Sequence, residues 1–581
     1  MNPAYGLVAV ALVAVATVAI GAFGLRVSRT TSDFYVASRT VSPWWNASAI
    51  GGEYLSAASF LGAAGLILAY GADMLWYPVG WTAGYLVLLL LVAAPLRRSG
   101  AYTLPDFAEA RLESVAVRRV ASVLVVLIGW LYLMPQFQGA GLTLRTVTGA
   151  PAWTGGLAVA SVVLVSVLSG GMRSITFVQT FQYWLKLTAL AVPVIFLLLV
   201  WRADGAPAPA GTELTEFRLP TTVTMQTSAT IDVPRPVPVT VSGVVDDTRY
   251  GDEPVILTPG QHRVLSGSEL RFPAGAAVPT VDRLQPLTRD EWLLPLGGAQ
   301  EHPLYATYSL ILATFLGTMG LPHVLVRFYT NPDGRAARRT TLAVLVLLGA
   351  FYLFPAVYGA LGRLYTPDLL VTGRTDAVVL ELPGRMVGGV AGELLGALVT
   401  AGAFAAFLST SSGLSVSVAG VLSQDIMPRW GVHGVKAFRV ATLLAVSVPY
   451  VLAVAGQGVP VANAVGLAFA VAASTFCPLL VLGIWWRRLT DAGAVAGLVL
   501  GGALSGGAVV LTIAGSSGDG WPAVLLAQPA AWTVPLAFLA MVAVSLGTRR
   551  RMAPNVARTM VRLHTPEQLD VDRGEWHPER G

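Results

Sequence analysis

At 581 residues, 54% of them hydrophobic and only 12% charged, the chain is far more apolar than a soluble protein, where about a quarter of residues carry charge. The formal charge of +6 is not a nucleic-acid signal, because arginines gather at the ends of apolar runs and no RNA- or DNA-binding motif occurs. One cysteine, Cys477, excludes internal disulfides and CxxC metal or redox motifs, and lysine is confined to Lys186 and Lys436.

The first apolar run, about residues 4–25, is followed rather than preceded by basic residues, Arg26 and Arg29. That excludes a cleavable signal pattern and predicts an outside N-terminus with residues 26–43 cytoplasmic. The loop Asp33-Phe34-Tyr35-Val36-Ala37-Ser38-Arg39 leads into a second run, about 44–69, which contains Gly51-Gly52-Glu53-Tyr54-Leu55-Ser56. A carboxylate at that depth must face protein, water or an ion. The paired glycines favour a helix break, whose freed carbonyls and amides survive only where they line a cavity or bind something. A glycine-kinked helix with its Glu turned to a water-filled crevice explains the same residues. Further spans are predicted at about 74–95, 119–145, 153–169 and 175–201, with an amphipathic interfacial segment at 102–119 and a turn at Gly170-Gly171-Met172-Arg173. The third core span carries Gln136, Phe137 and Gln138; the fifth carries Thr176, Gln179, Gln182 and Lys186.

Residues 202–302 are polar and Pro-rich, with alternating β-branched stretches such as 221–224 and 237–241, which predicts a β-rich extracytoplasmic insertion. Spans resume at about 304–326, which contains Gly317-Thr318-Met319-Gly320-Leu321-Pro322-His323 and ends in a basic loop with Arg327, Arg335, Arg338 and Arg339. Others follow near 341–362, 393–422, 437–456, 460–485, 490–514 and 527–547. The basic loops fall on one side when about 13 helices are counted through, with the C-terminus cytoplasmic.

A Gly-interrupted segment opens each set of five helices. Such pairing predicts a 5+5 inverted-repeat transporter with its site at mid-membrane between the breaks. The expected organisation is an extra helix and loop (1–43), a first repeat (44–201), the insertion (202–302), a second repeat (303–486), extra helices (487–551) and a tail (552–581). In 393–422, Ala405-Ala406-Phe407-Leu408-Ser409-Thr410-Ser411-Ser412-Gly413 offers adjacent hydroxyls to a hard cation, which takes about five oxygen ligands. Hydroxyls in membrane helices also bond the carbonyl one turn back, so the cluster alone leaves both roles open.

The blocks Asp33-Phe34-Tyr35-Val36-Ala37 with Pro43-Trp44-Trp45, Gly52-Glu53-Tyr54-Leu55-Ser56-Ala57-Ala58-Ser59-Phe60-Leu61-Gly62, Gly170-Gly171-Met172-Arg173 with Gln179, Gly317-Thr318-Met319-Gly320-Leu321-Pro322-His323-Val324-Leu325-Val326-Arg327-Phe328, and Ser409-Thr410 leading to Ser423-Gln424-Asp425-Ile426 carry a resemblance. Over about residues 30–490 the chain resembles the sodium/solute symporter family, and within it the cation/acetate symporter branch. The resemblance implies an all-α polytopic LeuT-type fold. It implies a sodium site of the carbonyls of Gly52, Leu55 and Ala406 with the hydroxyls of Ser409 and Thr410. The solute is then expected beside the breaks, near Glu53, Tyr54, Ser56, Gln136, Phe137 and Thr318. Glu53-Tyr54-Leu55 stands where the acetate branch has Asp-Tyr-Met, and the insertion is unusually large.

These readings predict a plasma-membrane symporter coupling Na+ or H+ entry to uptake of a small monocarboxylate such as acetate by alternating access, with no cofactor beyond the co-transported ion. The partners are the solute, the ion and the bilayer; no nucleic acid or obligate protein partner is evident. Half-helix amides suit a carboxylate. Glu53 suits an anionic pocket only if it is protonated, paired or turned away. Lys186 is one candidate partner, with snorkelling towards a membrane surface as its alternative. The alternative function is symport of a neutral or zwitterionic solute such as proline, with Glu53 meeting its ammonium; a membrane sensor is the more distant rival. No enzyme is expected. His262, His302, His323, His433, His564 and His577 are scattered, and His323, next to Pro322, reads as structural.

Overall fold

The apolar runs form helices close to their predicted limits in a computed structural model that describes residues 3–25, 41–208, 214–282, 284, 286–296, 302–456, 461–514, 520–567 and 569. The loop 33–39, Arg26, Arg29 and the end of the tail lie outside the described residues. In chain order the helices are α1 (Pro3–Leu25), α2 (Pro43–Tyr54), α3 (Ala63–Tyr70), α4 (Trp76–Val87), α5 (Ala93–Ser99), α6 (Leu104–Leu112), α7 (Val115–Thr148) and α8 (Ala152–Ala203). After the sheet come α9 (Arg289–Leu293), α10 (Pro303–Thr318), α11 (Pro322–Val326), α12 (Gly334–Tyr365), α13 (Asp368–Thr372), α14 (Val378–Val387) and α15 (Gly389–Val421). The chain ends with α16 (Gly434–Ala455), α17 (Val461–Trp485), α18 (Asp491–Ile513), α19 (Trp521–Ala527), α20 (Ala530–Gly547) and α21 (Val556–His564).

Eleven helical segments among the described residues are long and apolar enough to cross a membrane. One of them, Ala58–Ser99, holds two crossings, and Ala152–Leu168 is a shorter apolar helix, so the bundle has the expected count of about thirteen. The two crossings of Ala58–Ser99 are separated by a tight turn, Gly71–Leu75. Gly71 adopts φ +74°, and a Cβ there would lie 1.8 Å from the Trp292 carbonyl oxygen, so only glycine fits. Large apolar side chains on the outer helix faces, such as Val15 and Leu199, are exposed, as lipid-facing residues should be.

Helix α8 is helical over 52 residues, a length of about 78 Å if straight. Both its ends nevertheless approach the segment 365–374. Asp204, just past its C-terminus, accepts from Tyr365 at 2.8 Å, and Thr146, just before its N-terminus, accepts from Arg374 at 2.8 Å. The segment 152–203 is therefore not one straight rod. Other details differ from the sequence reading. Residues 365–389 form the short helices α13 and α14. Only α6, closed by a Thr103/Asp106 capping box, is separate within 102–119, and α7 already begins at Val115.

The insertion folds into seven antiparallel strands, β1 (Thr221–Thr224), β2 (Ala229–Val233), β3 (Val237–Val245), β4 (Thr248–Leu257), β5 (Gly260–Val264), β6 (Glu269–Phe272) and β7 (Thr280–Val281). Along β3, Val237, Val239 and Val241 point inward while Pro238 and Thr240 do not, the period-2 pattern of a strand with one buried face. The order is β1-β6-β3-β5-β2-β7, with β4 also on β3. A strand has only two edges, so β3 serves three neighbours by changing partner along its length, which curls the sheet.

The far end of the insertion is pinned to the bundle. Trp292 of α9 is buried and donates its indole N–H to the carbonyls of Ile67 (2.9 Å) and Leu68 (3.1 Å), which end α3. Arg363 stacks over its ring at 5.7 Å and also reaches the Leu68 carbonyl (3.3 Å). Orphan carbonyls at a helix end are thereby satisfied. Trp292→Ala is expected to cost about 3–5 kcal/mol, and Trp292→Phe, which keeps the ring but not the donor, about 1 kcal/mol. Thermal melting of the purified protein checks both; equal melting curves for wild type and Trp292→Ala would refute the anchoring role.

Candidate functional site

The first helix of each predicted repeat is broken, and the two breaks meet. Helix α2 ends at Tyr54, and Leu55 takes φ −73°, ψ 87°, outside helical space. The helix resumes through a π-helical turn, Ala58–Gly62. Gln136 Oε1 accepts the Ala57 N–H at 2.9 Å, so Gln136 satisfies one of the amides that the break frees. Gly52 is required here: a Cβ would lie 2.2 Å from the Gln179 carbonyl oxygen of α8. In the second break α10 ends at Thr318 and α11 starts at Pro322, which forces Leu321 into extended geometry (φ −77°, ψ 117°). The Tyr54 and Thr318 hydroxyls join the breaks at 2.9 Å. The two broken helices run in opposite directions: α2–α3 ends at Trp292 beside the sheet, whereas α10 starts just after the insertion and α11 leads to Arg327, whose carbonyl accepts from Asn46 near the start of α2 (3.2 Å).

Arg327 is not part of an exposed basic loop. It is buried, and its Nε donates to Glu53 Oε2 at 2.7 Å. Its other nitrogens reach Thr176 Oγ1 (2.8 Å) and Gln179 Oε1. Glu53 is thus paired, and its partner is Arg327 rather than Lys186. It is seated on Gly413 of α15, where a Cβ would fall 2.0 Å from Glu53 Oε1. The proximity of Gly413 to Glu53 joins the hydroxyl-rich helix to the first break.

Lys186 does not snorkel; it is fully buried. Its ammonium donates to the carbonyls of Gly52 and Leu55 (2.8 Å for the latter) and to Ser409 Oγ (2.9 Å). Ser409 in turn donates to the Ala406 carbonyl at 3.1 Å, and Thr410 donates to the Glu53 carbonyl at 2.6 Å. The residues expected to hold the cation, Gly52, Leu55, Ala406, Ser409 and Thr410, therefore line one small region between α2 and α15, with the Lys186 amine among their oxygens.

Of the residues expected around the solute, Tyr54, Ser56, Gln136 and Thr318 lie at the breaks, and Ser56 is buried beside Tyr132. Glu53 lies at the first break too, with its carboxylate engaged by Arg327. The Phe137 ring packs edge-on against Tyr450 of α16 at 5.9 Å. His323, read from the sequence as structural, is buried in the first turn of α11, directly after the second break, with its ring 5.1 Å from Tyr132, and neither ring nitrogen has a hydrogen-bond partner. A Pro-His pair at a break was the signal available for it.

Two inverted broken helices around a buried polar junction define a multi-pass membrane transporter. The chain matches the Sodium:solute symporter family over residues 34–206 and 277–501. It is 30% identical over 554 residues to "Uncharacterized symporter YwcA" of Bacillus subtilis (strain 168), covering 93% of each chain. It is 29% identical over 542 residues to the "Monocarboxylic acid transporter" of Corynebacterium glutamicum, covering 89% of this chain and 87% of that one. Its fold is similar to that of a substrate-bound, outward-open Na+-coupled sialic acid symporter (TM-score 0.62, 12% identity, 93% of this chain and 98% of the other). The chain belongs to the sodium:solute symporter family, a family of transporters and not of enzymes, and is a cation-coupled solute symporter. The family match stops at residue 206 and resumes at 277, so it passes over the strands β1–β6.

Proposed function

We propose that the protein takes up a small monocarboxylate such as acetate across the plasma membrane by alternating access, in symport with Na+ or H+, its sheet and N-terminus outside and its C-terminus cytoplasmic. The observation that carries the choice of solute is the Glu53–Arg327 pair. A zwitterion such as proline needs a counter-charge for its ammonium, and Arg327 already holds the carboxylate at the break. The neutral groups around the junction, Ser56, Thr318 and His323, suit a carboxylate with one methyl group. The Corynebacterium relative, a monocarboxylic acid transporter, supports the same reading.

The test is uptake of labelled acetate into proteoliposomes under Na+ and pH gradients imposed separately, with protein-free liposomes to subtract permeation of acetic acid. Saturable, protein-dependent accumulation is expected, competed by propionate and not by proline. Competition by proline with no competition by propionate would move the assignment to a zwitterionic solute.

A further inference from the structure

We propose that Lys186 is the resident cation of the site between α2 and α15: its ammonium stands where a sodium ion would bind, and the protein does not bind Na+ there. Three of the five residues expected to ligate the ion give their oxygens to this one nitrogen: the carbonyls of Gly52 and Leu55 and the hydroxyl of Ser409. An ammonium is compact and directs three donors outward, so three converging oxygens match it as they would match a small monovalent cation. A guanidinium is planar and wider and could not enter the same cage. That fits a feature of composition otherwise without explanation: the chain has 38 basic residues counting Lys and Arg, only two of them lysines, and one of the two is here.

The remaining two expected ligands are also engaged. Ser409 covers the Ala406 carbonyl (3.1 Å), and the Thr410 hydroxyl is turned to the Glu53 carbonyl (2.6 Å). A sodium ion at this spot would share oxygens with a tethered positive charge at contact distance, and the two would repel. Glu53, the nearest carboxylate, cannot offset a second cation because Arg327 already pairs with it. With this site closed to sodium, a Na+ gradient does not act through it.

The inference rests on the transporter reading but not on which solute is carried, and its test uses no solute. Equilibrium binding of 22Na+ is measured on purified wild type, Ser409→Ala, Lys186→Ala and Lys186→Ala/Ser409→Ala, with a melting curve for each to show that it is folded. The expected result is no Ser409-dependent saturable binding by wild type, saturable binding gained by Lys186→Ala, and its loss in the double variant. Saturable binding by wild type that Ser409→Ala removes would overturn the proposal. So would a folded Lys186→Ala that binds no sodium, because the amine would then replace nothing. If Lys186→Ala does not fold, the wild-type arm decides: binding lost on Ser409→Ala refutes the proposal, and absence of binding supports it.

Discussion

Arg327→Met is expected to abolish transport and lower the melting temperature, while the double variant Glu53→Gln/Arg327→Met should recover most of the stability without recovering transport. The single change leaves a carboxylate 3% exposed with its partner gone. Breaking a buried pair from one side costs about 3–5 kcal/mol, because the desolvation penalty of the surviving charge is no longer repaid. Replacing both members removes that charge, and such double replacements are often neutral or better. Arg327 does more than neutralise Glu53. It also holds Thr176 and Gln179 of α8, and its carbonyl accepts from Asn46, so α2 and α8 of the first repeat both meet on this one residue of the second. Uptake therefore stays lost even where stability returns. Melting curves and initial uptake rates on the three proteins check this; unchanged stability in Arg327→Met would show the pair to be solvated and the reading wrong.

Gly413→Ala is the second large effect. The added methyl would sit 2.0 Å from Glu53 Oε1 and 2.2 Å from its Cδ, well inside van der Waals contact. Glu53 cannot swing away freely because Arg327 holds its other oxygen. Overpacking of this kind costs about 1–3 kcal/mol. Pushing Glu53 also shifts the Glu53 carbonyl that Thr410 grips, so initial uptake should fall about tenfold or more, the effect of a little over 1 kcal/mol at the site. Gly420→Ala is the control. It lies on the same helix with nothing within 4 Å of its added Cβ, and it should leave uptake unchanged and stabilise slightly through better helix propensity. Equal behaviour of the two variants in uptake assays would refute the seating of Glu53 on Gly413.

The spans were legible because each needs only local information: an apolar run of bilayer length, ended by arginine or proline. The breaks were legible for the same reason, since Gly51-Gly52 and Gly320-Leu321-Pro322 each disfavour helix at one place. The alternation of 237–241 gave away a strand, but not its neighbours, since β3 pairs with β6 as well as with the β4 that follows it. Long-range contacts were hidden. Lys186 meets Ser409 across 223 positions and Arg327 meets Glu53 across 274, and nothing in the local sequence of Arg327 separates it from the helix-end arginines that follow it. That both ring nitrogens of His323 lack hydrogen-bond partners was equally hidden, because it depends on what packs around the ring.

Trp292 gives the sheet a mechanical meaning. Through one indole, the strands and the last turn of α3 become a single part, and α3 continues directly into the π-helical turn and the first break. Whatever holds the sheet from the aqueous side also holds that half-helix. If the bundle rocks as proposed above, a rigid binder gripping only the strands would act as a brake on it, stalling the carrier from the sheet rather than from the breaks.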